Sequence, residues 1–256
     1  MKKKTIKTTH QRILQISEDS KQITLPDSRY YQRNGEYYPS ITHVLGTYPK
    51  GKFFEDWLKK VGYSADYIVK KSAEEGTQVH EMIESYLGGE ELNFLNDYGY
   101  PQFTPKVWQM FLKFVDWWEE YNPTLLKAEV HLFSDELKVA GTCDLVCEIN
   151  KEIWIIDFKT SNHLQTTYDL QAAIYGKCYE ECFGVRPDRF GILWLKSNKR
   201  KPAKGKMQGK GWEMYESPRS YEENLDIFST VKKLFDLENP KQKPFEQSFK
   251  TTAKMK

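Results

Sequence analysis

The sequence lacks long hydrophobic runs, has few cysteines and carries no excess of charge of either sign. No apolar segment approaches the ~18–20 residues that a helix needs to cross a bilayer, and the basic start at residues 2–4 is followed by mostly polar residues instead of the apolar part of a secretory signal. Four cysteines in 256 residues are too few for a disulfide scaffold. We therefore expect a cytoplasmic protein with free thiols and no membrane contact.

The charge is balanced in total but uneven along the chain. There are 38 Lys and Arg residues against 36 Asp and Glu, a net charge of +2. A basic segment without any acidic residue contains Lys196, Lys199, Arg200, Lys201, Lys204, Lys206 and Lys210. Such a run is typical of a solvated hairpin tip, and beside a nucleic-acid site it predicts an arm that follows phosphates.

The order of predicted elements indicates an α/β or α+β domain around a mixed sheet. Residues 1–39 form a small β appendage with a hairpin turn at Asn34-Gly35, residues 40–238 form the main domain, and residues 239–256 form a basic, flexible tail. Helices are predicted at 53–61, 64–87, 104–121, 166–182 and 220–237, and strands at 125–134, 139–149, 152–160, 189–196 and 211–216.

Three helix boundaries have recognisable signals. Ser40 is a candidate N-cap, and Thr104-Pro105 supplies a cap followed by a first-turn proline. Gly76 lies inside the stretch from 64 to 87, which is therefore either one helix or two, with Thr77 capping the second.

The most informative residues lie on two neighbouring predicted strands. A turn centred between Asn150 and Lys151 would place Asp144 directly opposite Asp157, with Cβ atoms about 4.5–5.5 Å apart. Strand alternation puts Lys159 on the same face as Asp157. Two facing carboxylates repel each other, and a divalent cation such as Mg²⁺ bound between them offsets this repulsion. The lysine can orient water or stabilise charge on phosphorus.

Each part of this pattern also has a simpler interpretation. Asp-x-Lys alone is typical of a surface ion pair, and a one-residue slip in register would separate the aspartates. His80 and Glu84 share a helix face, as do Gln171 and Tyr175. Either pair alone is typical of partly buried polar residues that the backbone satisfies.

The ordered set resembles the PD-(D/E)XK nuclease superfamily, in its RecB-like branch. That branch has a helix Gly-x-x-x-His-x-x-x-Glu, a strand Gly-x-x-Asp, a strand Asp-x-Lys and a helix Gln-x-x-x-Tyr, which begin here at Gly76, Gly141, Asp157 and Gln171. The segment 38–45, with Trp57 and Gly62, is similar to the mitochondrial genome maintenance exonuclease and its phage relatives. The resemblance covers about residues 30–196.

The resemblance implies a restriction-endonuclease-like αβββαβ core with an N-terminal β-hairpin and helical additions. Mg²⁺ or Mn²⁺ would be held by His80, Asp144, Asp157 and the backbone carbonyl of Phe158. The catalytic group would comprise Lys159, Asp144, Asp157, Gln171 and Tyr175, with the last two also contacting the DNA backbone. Supporting roles fall to Glu84, Glu129 and Thr160, and DNA binding to Lys199, Arg200, Lys201, Lys204 and Lys206.

The cysteines depart from a sub-branch that carries a four-cysteine iron–sulfur cluster after the Gln-x-x-x-Tyr helix. Here the last one, Cys182, lies within that helix, on a stripe with Cys178. Cys143 and Cys147 fall on the strand face opposite Asp144. We expect four small buried hydrophobic residues, no iron–sulfur cluster and no zinc.

These features predict a Mg²⁺- or Mn²⁺-dependent DNA exonuclease that hydrolyses phosphodiester bonds of single-stranded or end-containing DNA in replication, recombination or repair. Its partners would be DNA and a replication or annealing protein, and its origin a phage. One alternative is a double-strand-specific recombination exonuclease of ring-forming type. Another is a nuclease-like fold that only binds DNA. The tyrosines of the hairpin would either stack on bases or pack the hairpin itself: Tyr30, Tyr31, Tyr37 and Tyr38.

Overall fold

The computed structural model describes residues 5–6, 12–25, 28–195, 211–241, 243–244 and 249–250. The basic segment at 196–210 therefore lies outside the described residues. The DNA-binding role expected for its side chains stays a prediction: Lys199, Arg200, Lys201, Lys204 and Lys206.

The first part of the chain is made of short strands followed by helices. The strands are β1 (Thr5–Ile6), β2 (Arg12–Gln15), β3 (Ser20–Thr24), β4 (Arg29–Arg33) and β5 (Glu36–Pro39). The helices are α1 (Ile41–Leu45), α2 (Gly51–Val61), a 3-10 turn (Gly62–Ser64), α3 (Ala65–Leu87) and α4 (Pro105–Tyr121). Ser40 and Thr104 cap α1 and α4 with their hydroxyls, as predicted.

The second part supplies the central sheet and two more helices. Its elements are β6 (Thr124–Ser134), β7 (Val139–Ile149), β8 (Glu152–Lys159), α5 (Thr166–Phe183), β9 (Arg189–Trp194), β10 (Glu213–Glu216), α6 (Tyr221–Glu238) and β11 (Phe249–Lys250). Strand β11 lies in the segment expected to be a flexible tail, and it pairs with β1.

The central sheet has five strands in the order β10-β9-β8-β7-β6. Among the described strands of this sheet, only β8 and β9 are parallel, and α5 makes the crossover between them. Helices lie on both faces of this sheet, and β2–β5 form a separate four-stranded antiparallel sheet. The predicted α+β fold with a mixed central sheet is confirmed.

The hairpin between β7 and β8 fixes the register on which the site depends. Asn150 and Lys151 have φ values of 54° and 70°, the left-handed conformation of a two-residue hairpin turn. Leu145 pairs with Ile156, which is the register expected from the sequence. This is the last pair of the ladder, so regular pairing stops one residue before Asp144 and Asp157.

Two cores cover the two faces of the central sheet. The first core lies under α3 and α4 and includes Val79, Ile83, Phe114, Trp117, Leu145, Cys147, Ile156 and Phe158. The second core lies under α1, α5 and α6 and includes Ile41, Val44, Cys143, Val146, Ile155, Ile174, Tyr175 and Phe228. Helix α2 buries no residue, and the buried residues of α3 beyond its first, Ala65, begin at Val79.

The cysteines show where strict strand alternation fails. Cys143 packs in the second core and Cys147 in the first, although alternation predicts one face for both. The expectation that they share a face is wrong, because the side-chain pattern of β7 slips between Cys143 and Leu145, at Asp144. Cys143, Cys147 and Cys178 are buried free thiols, but Cys182 is exposed, contrary to expectation.

The N-terminal sheet packs on β6 and β7 and buries most of the tyrosines. Tyr30, Tyr31 and Tyr38 are 8%, 0% and 3% exposed. Tyr31 and Tyr38 pack edge-on against Phe133. These three tyrosines therefore pack the sheet, and the idea that they are exposed to stack on bases is wrong.

Helix α3 is continuous through Gly76, which resolves the alternative of two helices in favour of one. A Cβ at Gly76 would lie 3.1 Å from Thr160 Oγ1. The glycine therefore allows α3 to approach the end of β8, where the aspartate and lysine motif lies. Within the described part of the chain, none of the helices is long and apolar enough to cross a membrane.

Helix α5 approaches β9 so closely at Gly176 that a methyl group there would collide with a ring. A Cβ at this position would lie 2.0 Å from Phe190 Cε1. We predict that Gly176→Ala lowers the free energy of unfolding by about 1–3 kcal/mol through overpacking, measured by urea denaturation. Gly76→Ala is the matched control, because its Cβ would meet only the Thr160 hydroxyl, and it should change stability by less than about 1 kcal/mol. Equal effects of the two substitutions would contradict this packing analysis.

Candidate active site

Three elements bring three potential metal ligands together beside the end of the β7–β8 ladder. His80 comes from α3, Glu129 from β6 and Asp144 from β7. Within the described residues, one ligand atom from each lies within 4.8 Å of the other two. His80 Nδ1 is 3.4 Å from Asp144 Oδ1 and 4.0 Å from Glu129 Oε1. We call these three residues the ligand trio.

Glu129 joins the trio through an unusual backbone conformation. Ala128 pairs with Leu145 and Val130 with Cys143, so Glu129 lies opposite Asp144 in the β6–β7 register. Its φ of 46° lies in the left-handed region, which costs free energy for a residue with a side chain. A strained residue directly opposite the point where β7 loses its alternation indicates that this part of the sheet is shaped for the site.

A second group of polar side chains surrounds Asp157 on the α5 side of the sheet. Lys159 Nζ lies 2.6 Å from Asp157 Oδ2 and donates a hydrogen bond of 3.2 Å to Gln171 Oε1. The Gln171 amide donates to Asp157 Oδ1 and to the Tyr175 hydroxyl, both at 2.9 Å. We call these four residues the lysine network, and Gln171 is its central member. The Tyr168 ring covers the Lys159 ammonium, 4.7 Å from the ring centre.

Asp144 connects the two groups. Its Oδ2 accepts a hydrogen bond of 2.7 Å from the backbone N–H of Phe158, where the regular ladder has ended. Its Oδ1 faces His80 in the ligand trio. The Phe158 ring in turn packs edge-on against the His80 imidazole, with 5.7 Å between centres.

Crowding of acidic groups shifts the pKa values of the ligand trio. Burial alone would lower the pKa of His80, but the charge and hydrogen bond of Asp144 raise it to about 9. Burial and the charge of Asp144 raise the pKa of Glu129 to about 8. Burial would raise the pKa of Asp144, but the charge and hydrogen bond of His80, together with the charge of Lys159 and the Phe158 N–H, lower it. At neutral pH the trio thus holds protons in the place where it would hold a cation.

The lysine network keeps an ammonium beside a carboxylate. Burial raises the pKa of Asp157 to about 6, and the Asp144 charge adds to this while Lys159 opposes it. Burial would lower the pKa of Lys159, but the charges of Asp157 and Asp144 raise it. Lys159 therefore stays charged at neutral pH, so it serves as a cation and a hydrogen-bond donor and not as a base.

Comparison with known proteins identifies the family. A family model described as the PD-(D/E)XK nuclease superfamily matches residues 57–251. The chain belongs to the PD-(D/E)XK nuclease superfamily. Among solved structures it is similar to a protein from Eubacterium rectale that is inferred to be an exonuclease, with 12% sequence identity and a TM-score of 0.42, covering 69% of this chain and 71% of that chain. No curated protein matches the sequence.

The structure places most of the motif residues of this PD-(D/E)XK chain where the sequence suggested. His80 and Asp144 meet in the ligand trio, and Lys159, Gln171 and Tyr175 meet around Asp157. Glu84 is exposed, and its charge adds to the rise in the pKa of Glu129. Thr160 lies against Gly76 of α3.

Two residues of the predicted site need separate comment. Glu129, to which the sequence assigned a supporting role, has its carboxylate in the ligand trio. Asp157, predicted as a ligand, lies outside that trio and contacts Lys159 and Gln171, and its role as a ligand stays a prediction. The only sequence signal for Glu129 was the family resemblance. The role of the Phe158 carbonyl as a ligand stays a prediction.

The residues fit a divalent cation, which PD-(D/E)XK nucleases typically use. An imidazole nitrogen and two carboxylates converge, and carboxylate oxygen is the ligand that Mg²⁺ prefers.

The raised pKa values predict that cation binding releases protons. At pH 7 both His80, with a pKa of about 9, and Glu129, with a pKa of about 8, carry a proton, and ligation requires its loss. The affinity for Mg²⁺ should therefore rise from pH 7 to 9 and level off above. Calorimetric titration in two buffers of different ionisation enthalpy should show about two protons released at pH 7.

Glu129→Gln is the control for this measurement. It removes one titrating ligand and keeps the shape of the side chain, so proton release at pH 7 should fall by about one. Equal proton release by the wild type and this variant would show that Glu129 does not bind the cation.

Proposed function

We propose that the chain is a Mg²⁺- or Mn²⁺-dependent DNA exonuclease of the RecB-like branch, acting on single-stranded or end-containing DNA. The observation that carries the proposal is the position of the ligand trio beside the lysine network, joined through Asp144. The four ordered motifs of that branch supply all the residues of these two groups except Glu129. The similarity of segment 38–45 to mitochondrial and phage exonucleases supports a requirement for DNA ends.

The residues of the site would have different roles in phosphodiester hydrolysis. His80, Glu129 and Asp144 would hold the cation, which when bound polarises the phosphate and lowers the pKa of water. Lys159 presents a positive charge where negative charge develops on the phosphate oxygens. Asp157 fixes the ammonium, and Gln171 fixes both partners from α5.

The charged state of Lys159 distinguishes between the roles open to it. A lysine that acts as a base must lose its proton, but Asp157 and Asp144 raise its pKa. We therefore assign it to charge stabilisation and to orientation of the attacking water, not to proton abstraction. The face of the Tyr168 ring, 4.7 Å from the ammonium, also favours the charged form of Lys159.

The nuclease proposal is tested by replacing Lys159 with an uncharged side chain of similar length. We predict that Lys159→Met loses about 10²-fold or more in cleavage rate, because its charge acts in the transition state, while DNA binding persists. The assay is digestion of 5′- or 3′-labelled single strands, blunt and tailed duplexes and circular single strands, with Mg²⁺, Mn²⁺ or EDTA. The label pattern gives polarity, and the circle separates exonuclease from endonuclease activity.

Lys232→Met is the matched control for Lys159→Met. Lys232 is also a buried lysine paired with a carboxylate, Asp236 at 2.6 Å, but it lies on α6. It should retain wild-type cleavage. Undiminished cleavage by Lys159→Met, or cleavage in EDTA, would contradict the proposed function.

Gln171 is expected to act by holding the lysine network in place. Gln171→Leu keeps the side-chain volume and removes three hydrogen bonds, so kcat should fall about 10–100-fold. Tyr175→Phe removes only one of these bonds and leaves Asp157 and Lys159 paired, so its loss should be smaller. Single-turnover cleavage measures both, and a Tyr175→Phe defect as severe as that of Gln171→Leu would contradict a central role for Gln171.

A further inference from the structure

The N-terminal sheet contacts residues next to the ligand trio. On the face of β6 and β7 that carries Glu129 and Asp144, the next cross-strand pair is His131 with Thr142. Thr142 Oγ1 is 2.9 Å from His131 Nδ1 and 2.9 Å from the Tyr31 hydroxyl. Strand β4 therefore contacts a polar pair that is two residues from the ligand trio.

The packing of β4 along β6 determines what lies nearest the trio. The Arg33 guanidinium lies 4.5 Å from the centre of the Phe133 ring, and the Tyr31 ring lies 6.1 Å from the His131 ring. A step of two residues along β4 thus matches a step of two residues along β6. Because alternate residues share a strand face, Arg29 follows next on this face, at the level of Glu129.

The electrostatic effects of Arg29 agree with this position. Burial raises the pKa of Tyr31, and the hydrogen bond with Thr142 and the charge of Arg29 oppose the rise. Arg29 itself is exposed, whereas Tyr31 is fully buried. The guanidinium is thus near the site and open to solvent.

We propose that Arg29 binds a backbone phosphate of the nucleic-acid substrate next to the scissile one. This assignment rests on the proposed nuclease function. A guanidinium binds phosphate through two parallel hydrogen bonds, which positions a strand more precisely than a lysine ammonium does. A site rich in carboxylates needs such a cation at its rim, since the polyanionic substrate must approach it. The N-terminal sheet would then form one wall of the substrate cleft.

Neutral linkages test this contact directly. The substrates are oligonucleotides with one uncharged methylphosphonate at each of the first four linkages in turn, cleaved in single-turnover assays. At one position the neutral linkage should lower the cleavage rate of the wild type about 10–100-fold, which corresponds to the loss of one hydrogen bond to a charged group. Arg29→Ala should be slowed by a similar factor on unmodified DNA and no further by that linkage. The cleavage rate of Arg29→Lys on unmodified DNA should lie between those of the wild type and Arg29→Ala.

Lys21→Ala is the matched control, because it removes one positive charge from the same sheet. Lys21 pairs with Gln32, which places it on the face of the sheet opposite Tyr31 and Arg29. It should behave as the wild type. Arg29→Ala should also keep wild-type Mg²⁺ affinity, and a weakened affinity would show that Arg29 supports Glu129 instead. The proposal would be overturned if Arg29→Ala and Lys21→Ala cleaved at the same rate. It would also be overturned if, at every linkage, the effects of Arg29→Ala and of the neutral linkage on the cleavage rate were additive.

A failure of the nuclease proposal would be distinguishable. If the wild type cleaves nothing, the salt dependence of single-strand binding replaces cleavage as the readout. Loss of one phosphate contact should reduce the slope of log K against log salt by about one in Arg29→Ala but not in Lys21→Ala. An unchanged slope, or no binding by the wild type, would overturn the role of Arg29 as well.

Discussion

The hydrogen bond from the Phe158 N–H to Asp144 is the contact on which the site depends. It occurs where the β7–β8 ladder ends, and at 2.7 Å it replaces the next backbone bond with a bond to a side chain. The two aspartates are thereby free to serve different partners. Asp144 meets α3 at His80, and Asp157 meets α5 at Gln171. Helices on opposite faces of one sheet thus each complete one half of the site, α3 with His80 and α5 with Gln171.

The two halves differ in charge. The ligand trio crowds two carboxylates and an imidazole, and the high pKa values of Glu129 and His80 show how strongly it favours positive charge. The lysine network already contains its own cation. A phosphate would therefore lie between a bound metal on one side and the Lys159 ammonium on the other, which is the electrostatic arrangement that phosphoryl transfer requires.

The sequence predicted the regular parts of the molecule because their signals are local. The Asn150-Lys151 turn determined the register of the β7–β8 hairpin, and the caps at Ser40 and Thr104 marked true helix starts. What failed depended on tertiary context. No local pattern indicates whether a second layer will cover a tyrosine such as Tyr31. Nor does alternation reveal the slip at Asp144, which moved Cys147 to the other core. The left-handed conformation of Glu129 was not predicted either, because such a residue within a strand has no sequence signature.

The central claim is that His80, Glu129 and Asp144 form the cation site and that Asp157 instead holds Lys159. The most direct measurement is a crystal structure with Mn²⁺, with anomalous scattering recorded above and below the manganese absorption edge. Our account predicts a peak bonded to His80 and to the carboxylates of Glu129 and Asp144, with the Lys159–Asp157 ion pair intact. A peak that contacts Asp157 but neither His80 nor Glu129 would contradict it.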